Sequence, residues 1–176
     1  MRSRAEVFRL AFESSLLALA VTLGLVESFL IPPLPAPGLR LGLANLAVLL
    51  AFAVLGPSRA LRISVARVIL VGLAAGTLGG PTGILSAAGA IAAWFAMWLL
   101  FRLGRDAFSV VGWSLGGSAA HVVGQLIVAC MLAGSLAPLL LMPVSLALSL
   151  VSGLMIGYSA RLLLARVPSR YVSLAL

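Results

Sequence analysis

Apolar residues occur along this chain in six long runs, each closed by prolines, glycines or arginines. A helix that crosses the hydrocarbon core of a bilayer takes about 20 residues, and most of the runs approach that length. Three of the runs end at prolines: at the four prolines between positions 32 and 37, at Gly56-Pro57 and at Gly80-Pro81. Proline ends a helix because it lacks an N–H and clashes with the preceding turn. The pattern predicts an all-α integral membrane protein, a bundle of about six transmembrane helices in a single domain over residues 1–176. The predicted spans are approximately 10–30, 43–56, 63–79, 84–101, 109–133 and 139–164.

The composition excludes two other classes of protein. The chain is 62% hydrophobic and only 9% charged. A soluble globular domain is about 45–50% apolar and about 25% charged, and a disordered chain combines low hydrophobicity with high charge. The one cysteine, Cys130, excludes an intramolecular disulfide.

The charges predict a direction across the membrane. All twelve basic residues are arginines, and four acids oppose them. If the amino terminus is inside, ten arginines fall in inside segments, Arg40 falls outside and Arg67 falls within a span. An excess of basic residues on the cytoplasmic side is the positive-inside rule. We therefore predict a multi-pass protein of the cell membrane with both termini cytoplasmic, whose charge requires no nucleic-acid partner.

Small residues recur at a spacing of four, which brings helices close together in lipid. The pattern predicts packing inside one bundle, with contacts between subunits as the alternative. A similar face on the first span, Ala11/Ser15 and Ser14/Ala18, is a second candidate for contact with a partner. The other sets are Gly72/Gly76/Gly80, Gly112/Gly116, Ala120/Gly124 and Gly153/Gly157.

Two charged residues lie inside predicted spans at the cytoplasmic side. Glu13 is four residues from Arg9, and Arg67 is five residues from Arg62, which gives the two a similar depth at 1.5 Å per residue. We predict a structural ion pair between Glu13 and Arg67. Coupling to another subunit and snorkelling of each side chain to the interface are the alternatives.

A second group of polar side chains is predicted toward the outer face. His121 and Gln125 are one helical turn apart and share a face. Ionisable groups within a membrane are usually turned inward and paired or functional. We predict an outward-facing substrate site beneath the proline-rich segment 31–42. The alternative is that His121 and Gln125 only hydrogen-bond neighbouring helices. The predicted substrate-binding residues are Glu27, Asn45, Thr82, Ser86, His121 and Gln125.

The sequence offers little for catalysis, so we predict no catalytic residues, no metal site and no cofactor. A nucleophile and base need an orienting acid, and Glu27 is the only acid at the depth of His121. The phosphate-binding glycine motifs are absent from the sequence. Asp106 is the only aspartate, whereas Mg²⁺–phosphate sites are built on carboxylates. The prediction is that the protein is not an enzyme.

Four segments of the chain carry a family resemblance. They are ESFLIPPLPAPGLRLGLAN at 27–45, ARVIL at 66–70 leading to Gly76-Thr77, LSAAG at 85–89, and GGSAAHVVGQ at 116–125. Together they resemble the signature of the Gx transporter family, which is also labelled heptaprenyl diphosphate synthase component I. The resemblance covers most of the chain, from about residue 27 to residue 133.

The resemblance implies a six-helix protein similar to the substrate-binding S components of energy-coupling factor transporters. In those proteins the loop between the first two helices covers an outward-facing site, which here is the segment 31–42. It also implies an ATP-driven energising module as a partner, contacted through small residues of the first helix. The synthase label does not imply a catalytic subunit, because prenyl chain elongation of the usual kind needs aspartate-rich Mg²⁺ sites.

Two functions remain open on the sequence. The first is a transport protein, an S-component-like subunit that captures a small organic molecule with Glu27, Asn45, His121 and Gln125. The second is a non-catalytic accessory subunit of isoprenoid or quinone biosynthesis, which would hold a lipid intermediate for a soluble prenyl-synthase subunit. Binding of a water-soluble ligand from the outer side would distinguish transport from the accessory role.

Overall fold

Six α-helices make up almost all of the described chain. A computed structural model describes residues 4–30, 42–104 and 107–167, and these contain no strand. The predicted all-helical bundle is confirmed, and residues 31–41 of the proline-rich segment 31–42 lie outside the described residues. The helices are α1 (Arg4–Leu30), α2 (Ala44–Leu55), α3 (Pro57–Ala74), α4 (Pro81–Leu103), α5 (Val110–Ala133) and α6 (Met142–Leu164), with a 3-10 turn at Ala137–Leu141.

Prolines and glycines set the helix boundaries. Pro57 and Pro81 occupy the first turns of α3 and α4, where the missing N–H of proline costs nothing. Gly134 ends α5 in a left-handed conformation with φ of 61°, which is the usual glycine stop. Because α3 begins at Pro57, it starts six residues before the predicted span.

Four of the helical stretches are long and apolar enough to cross a membrane: Glu6–Phe29, Pro81–Leu103, Val110–Ala133 and Ala137–Leu164. Most of their residues lie on the outside of the bundle, and large apolar side chains such as Met131, Leu140 and Met155 are exposed. Exposed apolar surface of this extent is typical of contact with lipid rather than water. The structure is that of a membrane protein.

The short helix α2 lies at the centre of the bundle. It has only 12 residues, and nine of them are buried. It packs against α1, α3, α5 and α6, while α3, α4, α5 and α6 contact each other in succession. The Phe52 ring lies 5.8 Å from that of Trp113 and 5.9 Å from that of Phe101. A helix that is apolar on every side is expected in such a position.

Close helix contacts confirm part of the small-residue prediction. A Cβ on Gly157 would lie 2.9 Å from the Val111 Cα, and one on Gly124 would lie 2.7 Å from the Ala92 Cβ. These glycines bring α6 against α5, and α5 against α4. The prediction for Gly72/Gly76/Gly80 is wrong as a packing face, because α3 ends at Ala74 and Gly76 has a φ of +66° in the following turn.

One end of the bundle, which we call the arginine-rich end, holds the start of α3 and the end of α4. Here Glu13 of α1 forms salt bridges with Arg59 and Arg62, with N–O distances of 3.0 and 3.2 Å. Trp94 of α4 donates its indole N–H to the carbonyl oxygen of Pro57 at 2.9 Å. Glu13 therefore pairs with arginines in the first turns of α3.

The predicted Glu13–Arg67 pair is not among the ion pairs of the described residues, where Glu13 pairs with Arg59 and Arg62. Arg67 lies ten residues beyond Pro57, about 15 Å into the helix at 1.5 Å per residue, and its Nη2 donates to Asn45 Oδ1 at 3.3 Å. The prediction measured depth from Arg62, whereas Arg62 is itself inside α3. With the helix start at Pro57, Arg59 and Arg62 reach the level of Glu13 and Arg67 lies beyond it.

Candidate functional site

A small cavity lies between α1, α3, α4 and α5, away from the arginine-rich end. Its volume is about 40 Å³, which is space for one or two water molecules. Five of the residues around it have polar side chains, and they come from all four helices. The lining residues are Gly24, Glu27, Gly42, Arg67, Val68, Val71, Ser86, His121 and Gln125.

Glu27 is held near the end of α1 by the chain that leads into α2. The Gly42 N–H donates to Glu27 Oε1 at 2.7 Å, and the Gly42 carbonyl accepts from the Asn45 N–H at 2.8 Å. Gly42 has a φ of +66°, a conformation that glycine adopts without strain. Glu27 is only 5% exposed, so its carboxylate depends on this short, charge-assisted contact.

Arg67 brings a second charge to the cavity. It is 8% exposed, and its hydrogen bond to the half-buried Asn45 orients the guanidinium. Among the described lining residues, Glu27 is the only carboxylate and Arg67 the only guanidinium. Opposite charges around one poorly solvated space attract more strongly than they would in water.

Further polar groups come from α4 and α5. Ser86 lies in the second turn of α4, and His121 and Gln125 lie one turn apart near the middle of α5. Gln125 is 6% exposed, and its Oε1 has no hydrogen-bond partner among the described residues. A buried acceptor in this condition is rare in folded proteins and marks a place where a ligand or water would bind.

The cavity brings together four of the six predicted substrate-binding residues: Glu27, Ser86, His121 and Gln125. Asn45 does not line the cavity, but it accepts a hydrogen bond from Arg67, which does. Thr82 is exposed at the start of α4 and does not line it. Arg67 lines the cavity but is not among the predicted substrate-binding residues. The signal in the sequence was Pro57, which marks the start of α3 and would have placed Arg67 deeper along that helix.

Gly89 of α4 fixes the position of the imidazole. A Cβ on Gly89 would lie 2.6 Å from His121 Nε2, so the ring rests directly against the glycine backbone. We expect Gly89→Ala to displace the ring, to lower the free energy of unfolding by about 1–3 kcal/mol through overpacking, and to weaken ligand binding. His121 is the only histidine, so its ring resonances can be followed by NMR without assignment.

Gly112→Ala is the matched control for this prediction. A Cβ on Gly112 meets nothing closer than 3.5 Å, and alanine favours helix over glycine by up to about 1 kcal/mol. Stability should therefore hold or rise, with no change in the His121 resonances. Adding His121→Ala to Gly89→Ala should recover stability; a loss that persists would contradict a steric origin at the ring.

A family model described as heptaprenyl diphosphate synthase component I matches residues 16–163. This range covers most of the chain and includes every residue that lines the cavity. The match confirms the resemblance that the four sequence segments indicate. No curated protein and no solved structure matches the chain.

Proposed function

The chain belongs to the heptaprenyl diphosphate synthase component I family, and from this premise we propose that it is a membrane protein that binds and transports a small polar organic molecule. The molecule binds in the cavity between α1, α3, α4 and α5. The observation that carries the proposal is the buried Oε1 of Gln125, which has no hydrogen-bond partner among the described residues. A buried polar atom in this condition costs about 1–3 kcal/mol, and a donor group on a ligand would remove that cost.

The polar groups define the ligand chemistry. Glu27 and Gln125 Oε1 accept hydrogen bonds, and Arg67 donates them, so a matching ligand carries both a donor, such as a hydroxyl or amine, and an acceptor. Hydrogen bonds to charged groups contribute about 1.5–3 kcal/mol each. These groups bind and orient a ligand; they include no nucleophile activated by a base. We propose that the protein is not an enzyme and uses no cofactor.

Ligand binding must enlarge the cavity. Its 40 Å³ is well below the roughly 300–1,000 Å³ of small-molecule pockets. The cavity is narrow because α1 and α3 approach closely: a Cβ on Gly24 would lie 2.9 Å from the Val71 Cγ2. We propose that the structure is the closed form, and that separation of α1 from α3 admits the ligand.

The orientation follows from the arginines. Arg59, Arg62, Arg102 and Arg161 lie near helix ends that meet at the arginine-rich end, which the positive-inside rule assigns to the cytoplasm. The cavity then lies toward the outer side of the cell membrane. The exposed small residues of α1, Ala11, Ser14, Ser15 and Ala18, are the proposed contact with an ATP-driven energising module, as in the S components of energy-coupling factor transporters.

Native mass spectrometry of gently extracted protein tests the proposal. The expected result is a retained small water-soluble molecule that is lost from the Gln125→Leu variant, although that variant remains folded. Absence of any retained molecule, together with no thermal stabilisation by a library of small polar metabolites, would contradict transport. Reporter fusions at each terminus test the orientation independently.

The family description favours a second candidate function, a non-catalytic accessory subunit in isoprenoid biosynthesis that presents a prenyl lipid to a soluble synthase. Catalysis of prenyl transfer by this chain is disfavoured because Asp106 is its only aspartate, whereas diphosphate-bound Mg²⁺ is held by carboxylates. If only prenyl lipids bind, and only when a synthase subunit is present, the accessory function replaces transport.

A further inference from the structure

A second recess lies between α1 and α3 at the arginine-rich end, separate from the cavity described above. It has a volume of about 280 Å³ and opens to the surface of the bundle. Its walls include Leu10 and Leu17 of α1 and Ile63 and Ala66 of α3. Leu10 is 39% exposed and Ile63 is buried, so the recess runs from the surface into the bundle between apolar walls, with Ser14 also in its lining.

The half of the groove nearer the arginine-rich end also carries charge, with Glu13 between Leu10 and Leu17 along α1. Glu13 and Arg62 line it, and Arg59 also contacts Glu13. Two guanidinium groups meet one carboxylate, which leaves an excess of positive charge. The Arg62 side chain is 64% exposed, so its donors remain accessible to a bound anion. This end of the groove therefore favours a negatively charged group.

The apolar and charged parts follow one another along the helices. Leu17 is one turn beyond Glu13 on α1, and Ala66 is one turn beyond Arg62 on α3, so each pair shares a helix face. A molecule with an anionic head at Arg62 would thus extend an apolar tail along Leu17 and Ala66, away from the arginine-rich end. Within a bilayer, the surrounding molecules of this shape and charge are anionic phospholipids.

We propose that the groove between α1 and α3 is a binding site for an anionic phospholipid, with the phosphate on Arg62 and an acyl chain along Leu17, Ile63 and Ala66. The carboxylate of Glu13, which pairs with Arg62, weakens its pull on the phosphate. The site does not depend on the proposed transport function.

The test uses full-length protein in a neutral detergent and native mass spectrometry with added phosphatidylglycerol or phosphatidylcholine. The wild-type protein should retain phosphatidylglycerol in preference. Arg62→Gln should lower that preference about fivefold, the effect of one basic side chain near an anionic surface. Glu13→Gln should raise it, because the same site then carries more positive charge. Ala66→Leu should reduce retention by filling the groove while leaving the charges in place.

The matched control is Arg161→Gln, an exposed arginine of α6 at the same end of the bundle. It should leave the preference unchanged. Equal retention of the two phospholipids, or an equal loss in the Arg161 variant, would overturn the site in favour of diffuse attraction. Displacement of phosphatidylglycerol by an equimolar amount of farnesyl diphosphate would overturn the choice of phospholipid and make the groove a prenyl diphosphate site.

Discussion

Replacing Arg67 by methionine is expected to lower the free energy of unfolding by about 1–3 kcal/mol, because Asn45 Oδ1 loses its guanidinium donor and the buried Glu27 carboxylate loses the cation that lines its cavity. Arg67 is 8% exposed and Glu27 is 5% exposed, and both line the same cavity. Methionine fills similar volume but carries no charge, so the Glu27 carboxylate would remain in a poorly solvated space opposite no cation. SDS titration in mixed micelles measures the loss.

Two comparisons make the origin of this effect testable. Arg62→Met removes an arginine whose side chain is 64% exposed and should change stability by no more than about 0.5 kcal/mol. The double variant Arg67→Met/Glu27→Gln should lose less than the sum of the single losses, since the two residues interact. Strict additivity would show that the charges are not coupled across the cavity.

Gln125→Leu is expected to raise stability while it weakens ligand binding. Leucine removes a buried carbonyl that has no hydrogen-bond partner among the described residues, which should increase the free energy of unfolding by about 1–3 kcal/mol. The same change removes the acceptor offered to a ligand, so affinity should fall at least about tenfold, or about 1.4 kcal/mol. Calorimetric titration with the ligand identified by mass spectrometry measures affinity.

Ser114→Ala provides the opposite control. Ser114 is also a buried polar residue of α5, but its hydroxyl already donates to the Gly153 carbonyl at 2.7 Å, and it does not line the cavity. Its loss should lower stability by about 1 kcal/mol with ligand affinity unchanged. If Gln125→Leu instead behaves like Ser114→Ala, with lower stability and full affinity, Gln125 is a packing residue and the site is elsewhere.

The apolar runs predicted the helices well because lipid contact and helix length impose strong constraints on sequence. Prolines and arginines marked most boundaries within a few residues. The runs did not distinguish the central helix α2 from its neighbours, since a helix buried by protein and a helix exposed to lipid are both apolar on every side. The contacts of α2 with four other helices arise only in the tertiary structure.

The candidate site was predictable from the sequence where helical periodicity alone determines which residues share a face. His121 and Gln125 share a face by their spacing, and they line one cavity. Arg67 was placed with Glu13 because depth was counted from the wrong residue. Thr82 has a polar type suited to a site, but its position in the first turn of α4 leaves it exposed. The contacts between residues of different helices depend on how the helices rotate and cross. Residue type alone does not encode that arrangement.

The brevity of α2 has a consequence for how the protein is made. Its 12 residues extend about 18 Å, less than the roughly 30 Å of hydrocarbon in a bilayer. As it leaves the ribosome, α2 therefore cannot settle in the bilayer as an independent span, and only Gly56 separates it from α3. We expect it to be inserted together with α3 as a hairpin, and to reach its central place only after α5 and α6 have been synthesised and have closed around it.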